Sequence, residues 1–270
     1  MTDLVLEDGR TLRYWDSGVA SELTLLWHHG SPQTGAPLEP LERAAEARGI
    51  RLLSYGRAGY GGSTAVVDRD VASAAGDVRA IVDALGIDRF AAMGASGGGP
   101  HALACAALLP ERVVAAVSIA GLAPYGEPGW FSGMADEGGL RAALRGREAR
   151  ELFEQTAEFD ENSFSSRDYA ALAGAWSSLG DDVQAASAFG SGGLVADDLA
   201  FVKPWGFDPR EMSAPVLLVH GRDDRVVPSS HSDRLLEVLP HAELWVRPHD
   251  GHISVLDAIP VAMDWIVDRW

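Results

Sequence analysis

Apolar residues along this chain fall into short, nearly continuous runs, separated by stretches in which they recur at helical spacing. Leu23–Trp27, Ile50–Tyr55, Phe90–Met93, Val113–Ile119, Pro215–Val219 and Leu244–Val246 are such runs, each bounded by Gly, Pro or polar residues. Runs of this kind predict strands buried on both faces. Between them, Val71, Ala74, Ala75, Val78, Ile81, Val82 and Leu85 recur at intervals of three and four, a helix that Gly86 closes. His101–Leu109, rich in Ala and Leu, predicts another helix, and Ile259, Met263, Ile266, Val267 and Trp270 predict a closing one. Arg10–Asp16 alternates behind an Asp8-Gly9 turn, as an exposed antiparallel strand does. Strands alternating with helices predict an α/β fold: a mostly parallel central sheet with helices on both faces and an antiparallel edge. Ligands of open sheets sit at the carboxyl ends of the strands. His29-Gly30-Ser31, Ser96, Asp223-Asp224 and His252, each just past an apolar run, are therefore the residues of interest.

The alternation stops between Leu122 and Met212. Over half of the chain's aromatic residues lie there, among them Trp130, Phe131, Phe153, Phe164, Trp176, Phe201, Trp205 and Phe207. Acidic, helix-like stretches alternate with Gly breaks, and no strand pattern occurs. Residues 122–212 are thus expected to form a helical insert packed over the mouth of a core made of residues 1–121 and 213–270.

A net charge of −17 excludes nucleic acid and anionic membrane surfaces as expected partners, because both require clustered Lys and Arg. The acidic N-terminus carries no long apolar run, so neither a signal peptide nor a membrane anchor is expected there. The single cysteine, Cys105, allows no intrachain disulfide and falls among Ala residues as a buried apolar side chain. No Cys/His spacing suggests a metal site. These features predict a cytoplasmic protein with no metal or organic cofactor and a small-molecule substrate.

The chemistry centres on Gly94-Ala95-Ser96-Gly97-Gly98, a G-x-S-x-G pattern between a predicted strand and a predicted helix. That setting calls for a sharp, strained turn that lifts a serine hydroxyl clear of the sheet, flanked by residues too small to collide with strand or helix. A dinucleotide-binding loop is excluded: it needs glycine where Ser96 stands, and a carboxylate ending the next strand, which instead runs into Ala120-Gly121-Leu122. Ser96 needs a base, and the base needs an orienting group. Among eight histidines, His252 is preferred over His249, because Gly251 lets it approach closely from a loop at a strand end. The carboxylate is expected at the end of the preceding strand, at Asp223 or Asp224.

With His29-Gly30-Ser31-Pro32, Arg57-Ala58-Gly59-Tyr60-Gly61-Gly62-Ser63, the serine turn, Gly221-x-x-Asp224-x-x-x-Pro228 and Gly251-His252 in this order, the chain resembles the α/β-hydrolase superfamily over nearly its whole length. The resemblance implies Ser96 as nucleophile, Asp224 as acid and His252 as base. It also implies the backbone N–H groups of Ser31 and Gly97 as an oxyanion hole, His29 as a brace for that loop, and the 122–212 insert as a helical cap. The chain departs from the superfamily at Gly56-Arg57-Ala58-Gly59, where relatives usually carry Asp-Arg-Pro-Gly, which leaves the stiffness of that loop to other contacts.

A serine at the turn separates the chain from the dehalogenase and epoxide-hydrolase branches, which use Asp there, and Gly97 departs from the Trp usual in proline iminopeptidases. Hydroxynitrile lyases use a cap lysine, for which Lys203, the only lysine, is the sole candidate and more simply a surface residue. The expected activity is hydrolysis of small to medium apolar carboxylic esters through an acyl-enzyme on Ser96. Carbon–carbon bond hydrolysis on the same residues is the alternative, and a non-catalytic hydrolase-like binding protein is the alternative of another class. Trp130, Phe131, Trp205 and Phe207, near the two ends of the insert, are the expected pocket walls.

Overall fold

The apolar runs are strands of one eight-stranded sheet; the last, Leu244–Val246, lies in its edge strand and is only half-buried. A computed structural model describes residues 1–126 and 128–270. The strands are β1 (Thr2–Val5), β2 (Thr11–Asp16), β3 (Thr24–His28), β4 (Arg51–Tyr55), β5 (Phe90–Ala95), β6 (Val113–Ile119), β7 (Val216–Gly221) and β8 (Ala242–Arg247). They lie in the order β1-β2-β4-β3-β5-β6-β7-β8. β1 and β2 pair antiparallel at one edge, and all pairs from β4 to β8 are parallel.

Successive side chains of a strand point to opposite faces, so each apolar run feeds two cores. Leu26, Leu53, Ala92, Ala116 and Leu218 pack with helices α2 (Ser73–Ala84) and α3 (Gly98–Leu108) on one face. Their neighbours Leu25, Leu52, Ala91, Val117 and Leu217 pack with α1 (Glu39–Glu46) and the closing helix α10 (Ile259–Val267) on the other. Full burial of one such Leu stabilises the fold by roughly 1.5–3 kcal/mol, which is why neither face can be left bare.

Three elements have no counterpart in the apolar pattern. β1 has no buried residue and is held to β2 by its ladder and by an Asp3–Arg13 ion pair. α1 is short and buries only Leu41, Ala44 and Ala45. α9 (Ser230–Val238) turns His231 and Ser232 inward beside Leu235, so polar residues hide its periodicity.

Between β6 and β7 the chain forms α4 (Gly138–Ala143), α5 (Arg147–Glu154), α6 (Ser166–Leu172), α7 (Ser177–Ala186) and α8 (Gly192–Phe201), with no strand among the described residues. These helices share only a small cluster of their own, around Ala143, Val195, Leu199 and Val202. The larger rings go elsewhere. Trp130 and Trp205 join the core on the α3 face, and Trp176 joins the core on the α10 face. Among the described residues, no helix is long and apolar enough to cross a membrane.

Candidate active site

Ser96 occupies the turn between β5 and α3 with φ +54°, a left-handed conformation that costs a non-glycine residue about 1–3 kcal/mol. The backbone around it holds that strain: Ser96 N–H donates to Ile119 O at 2.8 Å, and Gly99 N–H donates to Ser96 O at 3.0 Å. The flanking glycines are a steric necessity. A Cβ on Gly94 would lie 2.3 Å from Gly98 O, and one on Gly98 would lie 2.1 Å from His28 O. Ser96 is partly exposed while its neighbours on both sides are buried.

His252 reaches this serine from the loop after β8. Its Nε2 accepts from Ser96 Oγ at 2.9 Å, and its Nδ1–H donates to Asp224 Oδ2 at 2.7 Å. The other oxygen, Asp224 Oδ1, accepts the N–H groups of Val226 and Val227, both at 2.9 Å, which fixes the carboxylate plane. Asp223 is exposed, as is His249, so the two alternatives left by sequence face solvent. Burial opposes the charge on Asp224, but the facing imidazole of His252 and hydrogen bonds from His220 and His252 outweigh it and hold the carboxyl well below its usual range. For His252, burial favours the neutral ring. The Asp224 charge, its hydrogen bond and the charge of Asp168 outweigh burial, so the imidazole titrates above its ordinary value. The trio presents a hydroxyl, a base and a permanently ionised orienting group in line.

Gly97 follows Ser96, and a Cβ on Gly97 would lie 2.5 Å from Ser31 Oγ, so the Ser31 loop borders the same turn. Among the described residues, neither the Ser31 nor the Gly97 backbone N–H has a protein acceptor. The Ser31 loop is held by groups from three directions. His29 Nδ1–H donates to Gly30 O at 2.6 Å and its Nε2 accepts from Arg57 N–H at 3.2 Å; burial and the Arg57 charge keep this ring neutral. Gly30 N–H donates to Gln33 Oε1 at 2.6 Å. Ser31 Oγ–H donates to Asp197 Oδ2 at 2.5 Å and accepts from Arg57 Nη2 at 3.0 Å, so this hydroxyl is a loop contact.

Asp197, on α8, is fully buried and is the hub of the loop. Arg57 Nη2, Tyr60 OH and Arg69 Nη2 donate to it at 2.7, 2.8 and 2.5 Å. Burial opposes its charge, but the two guanidinium groups keep the carboxyl well below its usual range. The missing Asp and Pro of the Gly56–Gly59 turn are thereby compensated: its Arg57 is anchored by a carboxylate from the insert. The sequence offered no signal for this, because Asp197 is one acidic residue in an acidic segment.

The four expected pocket rings are placed differently from that expectation. Trp130 is a core side chain whose Nε1–H donates to Ala123 O at 2.9 Å and whose ring stands edge-on to His231. Trp205 is buried in the same core, Phe207 packs beside it, and Phe131 packs on Trp130. None of these contacts involves Ser96. Phe201, at the end of α8 and part of the same core, comes close to the serine turn: its Cζ lies 3.1 Å from the position of a Cβ on Gly97. Cys105 is buried with its sulfur 3.4 Å from His28 Nε2, and Lys203 is exposed. Among the described residues, no group of three or more His, Cys, Asp or Glu could hold a metal ion.

Residues 24–259 match the model of the alpha/beta hydrolase fold family. The 2-hydroxy-6-oxononadienedioate/2-hydroxy-6-oxononatrienedioate hydrolase of Burkholderia vietnamiensis is 31% identical over 92% of this chain and 87% of that protein. The 2-hydroxy-6-oxo-6-phenylhexa-2,4-dienoate hydrolase of Burkholderia cepacia is 29% identical over 86% of this chain and 81% of that protein. Among solved structures, the enol-lactonase of Burkholderia xenovorans superposes with a TM-score of 0.76 at 19% identity, covering 99% of this chain and 98% of that one. An esterase from Thermogutta terrifontis gives 0.71 at 18% identity, with the same coverage. The sheet order, the serine on its strained turn and the matched span agree: this chain belongs to the alpha/beta hydrolase fold family.

Proposed function

We propose that the protein is a serine hydrolase that cleaves a carbon–carbon bond next to a carbonyl, in a conjugated diketone-like substrate. The observation that carries the hydrolase reading is the continuous Ser96–His252–Asp224 hydrogen-bond chain beside two unpaired N–H groups. Ser96 Oγ adds to the carbonyl carbon while His252 Nε2 takes its proton, and the Ser31 and Gly97 N–H groups hold the resulting oxyanion. Collapse breaks the adjoining carbon–carbon bond, its electron pair passing to a delocalised enolate that takes the proton from His252. Water, deprotonated by His252, then releases the acid and restores Ser96. Residues 122–212 act as a cap in this reading, supported by α6 and α8 reaching the loops that carry His252 and Ser31.

The choice of bond departs from the ester hydrolysis expected from sequence. It rests on the curated relatives, whose names describe hydrolases of 2-hydroxy-6-oxo acids and which cover most of this chain. Ester hydrolysis is the second reading, and one observation favours it. The buried guanidinium groups beside the Ser31 loop, Arg57 and Arg69, are both already paired with Asp197, whereas a dienoate brings a carboxylate of its own and a simple ester none.

The test is a side-by-side assay of the purified protein on 2-hydroxy-6-oxo-6-phenylhexa-2,4-dienoate and on nitrophenyl esters of increasing acyl length. A higher kcat/KM on the dienoate is expected. Ester turnover without dienoate cleavage transfers the assignment to the second reading. Failure of both, with no labelling of Ser96 by a fluorophosphonate, overturns the hydrolase reading.

A further inference from the structure

We infer that Asp168, on helix α6 of the inserted segment, is a positioning residue for His252: it clamps the loop that carries the imidazole and sets a second carboxylate behind that loop. This rests on the reading of His252 as the base. One half of the contact is an ordinary helix cap. Asp168 Oδ2 accepts from Ser165 N–H at 2.9 Å and from Ser165 Oγ–H at 2.8 Å, while Ser165 Oγ lies 3.2 Å from Asp168 N–H. Such a box is complete without any tertiary partner and usually faces water.

The other oxygen does something a cap does not require. Asp168 Oδ1 accepts from Ile253 N–H at 2.9 Å, Ser254 N–H at 2.8 Å and Ser254 Oγ–H at 2.9 Å. Ser254 Oγ in turn accepts from Gly251 N–H at 2.8 Å, so the residues on both sides of His252 are tied to one carboxylate. The approach is so close that a Cβ on Gly251 would lie 2.0 Å from Asp168 Oδ2. Next to it, Arg167 Nε donates to Asp250 Oδ1 at 3.0 Å, and Arg247 Nε donates to Asp250 Oδ2 at 2.7 Å. Helix α6 therefore grips the loop at Asp250 and again at Ile253–Ser254.

Asp168 is completely buried. Burial opposes its charge, but the hydrogen bonds from Ser254 and Ser165 keep it ionised, with its pKa below the usual carboxylate value. An ionised, water-excluded carboxylate close to an imidazole favours the imidazolium that forms when His252 takes the Ser96 proton. The charged groups around this ring are Asp224 in direct contact, Asp168 behind the loop, Asp250 neutralised by Arg167 and Arg247, and His220, whose Nε2 is 3.5 Å from Asp224 Oδ2. Of these, Asp168 is the carboxylate that the insert contributes.

Asp168→Asn separates charge from clamp, because the amide oxygen can still accept from residues 253 and 254. Two readouts follow it: the NMR titration of the His252 imidazole in the resting protein, and the pH dependence of Ser96 phosphonylation by a small fluorophosphonate. Both midpoints are expected to move to lower pH in Asp168→Asn and to stay in place in Asp168→Glu. Ser165→Ala, which weakens only the cap, is expected to lower the thermal midpoint and leave the His252 titration unmoved. A His252 titration unchanged in Asp168→Asn overturns the inference, whatever happens to stability. If that variant does not fold, Ser254→Ala serves: phosphonylation about ten-fold slower is expected, and an unchanged rate overturns the inference. Absence of wild-type labelling would count against the proposed function instead, since the titration in the resting protein decides on Asp168 by itself.

Discussion

At the scale of single residues, the proposed reaction divides the site into groups that would react and groups that hold them. Ser96→Ala should remove the nucleophile and leave the turn intact, since both side chains share the same Cβ at φ +54°. Turnover is expected to fall at least about 10³-fold with an unchanged thermal midpoint, and residual activity above that level would mean another nucleophile. Asp224→Asn should cost far more than Asp223→Asn, because only Asp224 contacts His252 and Asp223 points to water. Equal kcat losses in the two variants would contradict the geometry. The pH profile carries a sign. His252 must be neutral to accept a proton, and its neighbours raise its pKa above the ordinary histidine value of 6.5. Activity should therefore fade on acidification with a midpoint above that value, and a kcat/KM profile bending below it would contradict the charge environment described.

At the scale of elements, α8 matters more than its composition suggests. It brings Asp197 to Arg57, Arg69, Tyr60 and Ser31, and it brings Phe201 to Gly97. Asp197→Ala would strand two buried guanidinium groups, a loss on the order of 3–5 kcal/mol in urea or thermal unfolding. A cost below about 1 kcal/mol would mean that the arginines find other partners. Phe201→Ala should alter substrate preference more than reactivity. KM and the acyl-length profile are expected to shift by about ten-fold, close to the contact energy of a lost ring face, while phosphonylation by a very small probe stays nearly the same. Trp130→Ala, by contrast, removes a core ring hydrogen-bonded to Ala123 and should read out mainly as lost stability.

Over the whole molecule, acid sensitivity follows from histidines that the fold keeps neutral. His28, His29 and His101 are buried, and burial together with Arg57 lowers each well below 6.5. His231 is lowered to about 4, mainly by burial. The unfolded chain binds protons at these sites that the native state refuses, so their contribution is fully present above 6.5 and lost as pH falls below it. Each withheld proton removes about 1.4 kcal/mol of stability per pH unit; Asp198, raised to about 6 mainly by burial, and Asp77 and Asp182, raised likewise, oppose this, whereas His252, with its raised pKa, changes its contribution above 6.5. Urea midpoints are thus expected to drop steeply from pH 6.5 to pH 4, before the ionised Asp197 and Asp224 begin to protonate. A flat profile across that window would show that these rings are not held neutral.

Strands β2 to β8, helices α2, α3 and α10, and the assignment of Ser96 to a strand–turn–helix were legible in the sequence, because each depends on periodicity or steric size within a few neighbouring residues. β1, α1 and α9 were not, since edge pairing or inward-facing polar side chains remove the apolar signal. Gly251 pointed to His252, the resemblance to the α/β hydrolases implied Asp224, and both are hydrogen-bonded in line with Ser96. What only the tertiary structure decided is how the insert meets the core. Asp168 and Asp197 are two among many acidic residues along the chain, yet folding buries them against the loops of His252 and Ser31. Trp130 and Trp205, conspicuous in sequence, are buried in the core on the α3 face. The reason is physical: periodicity records which face of an element is apolar, whereas a buried ion pair or a clamp depends on partners that chain closure brings together from more than eighty residues away.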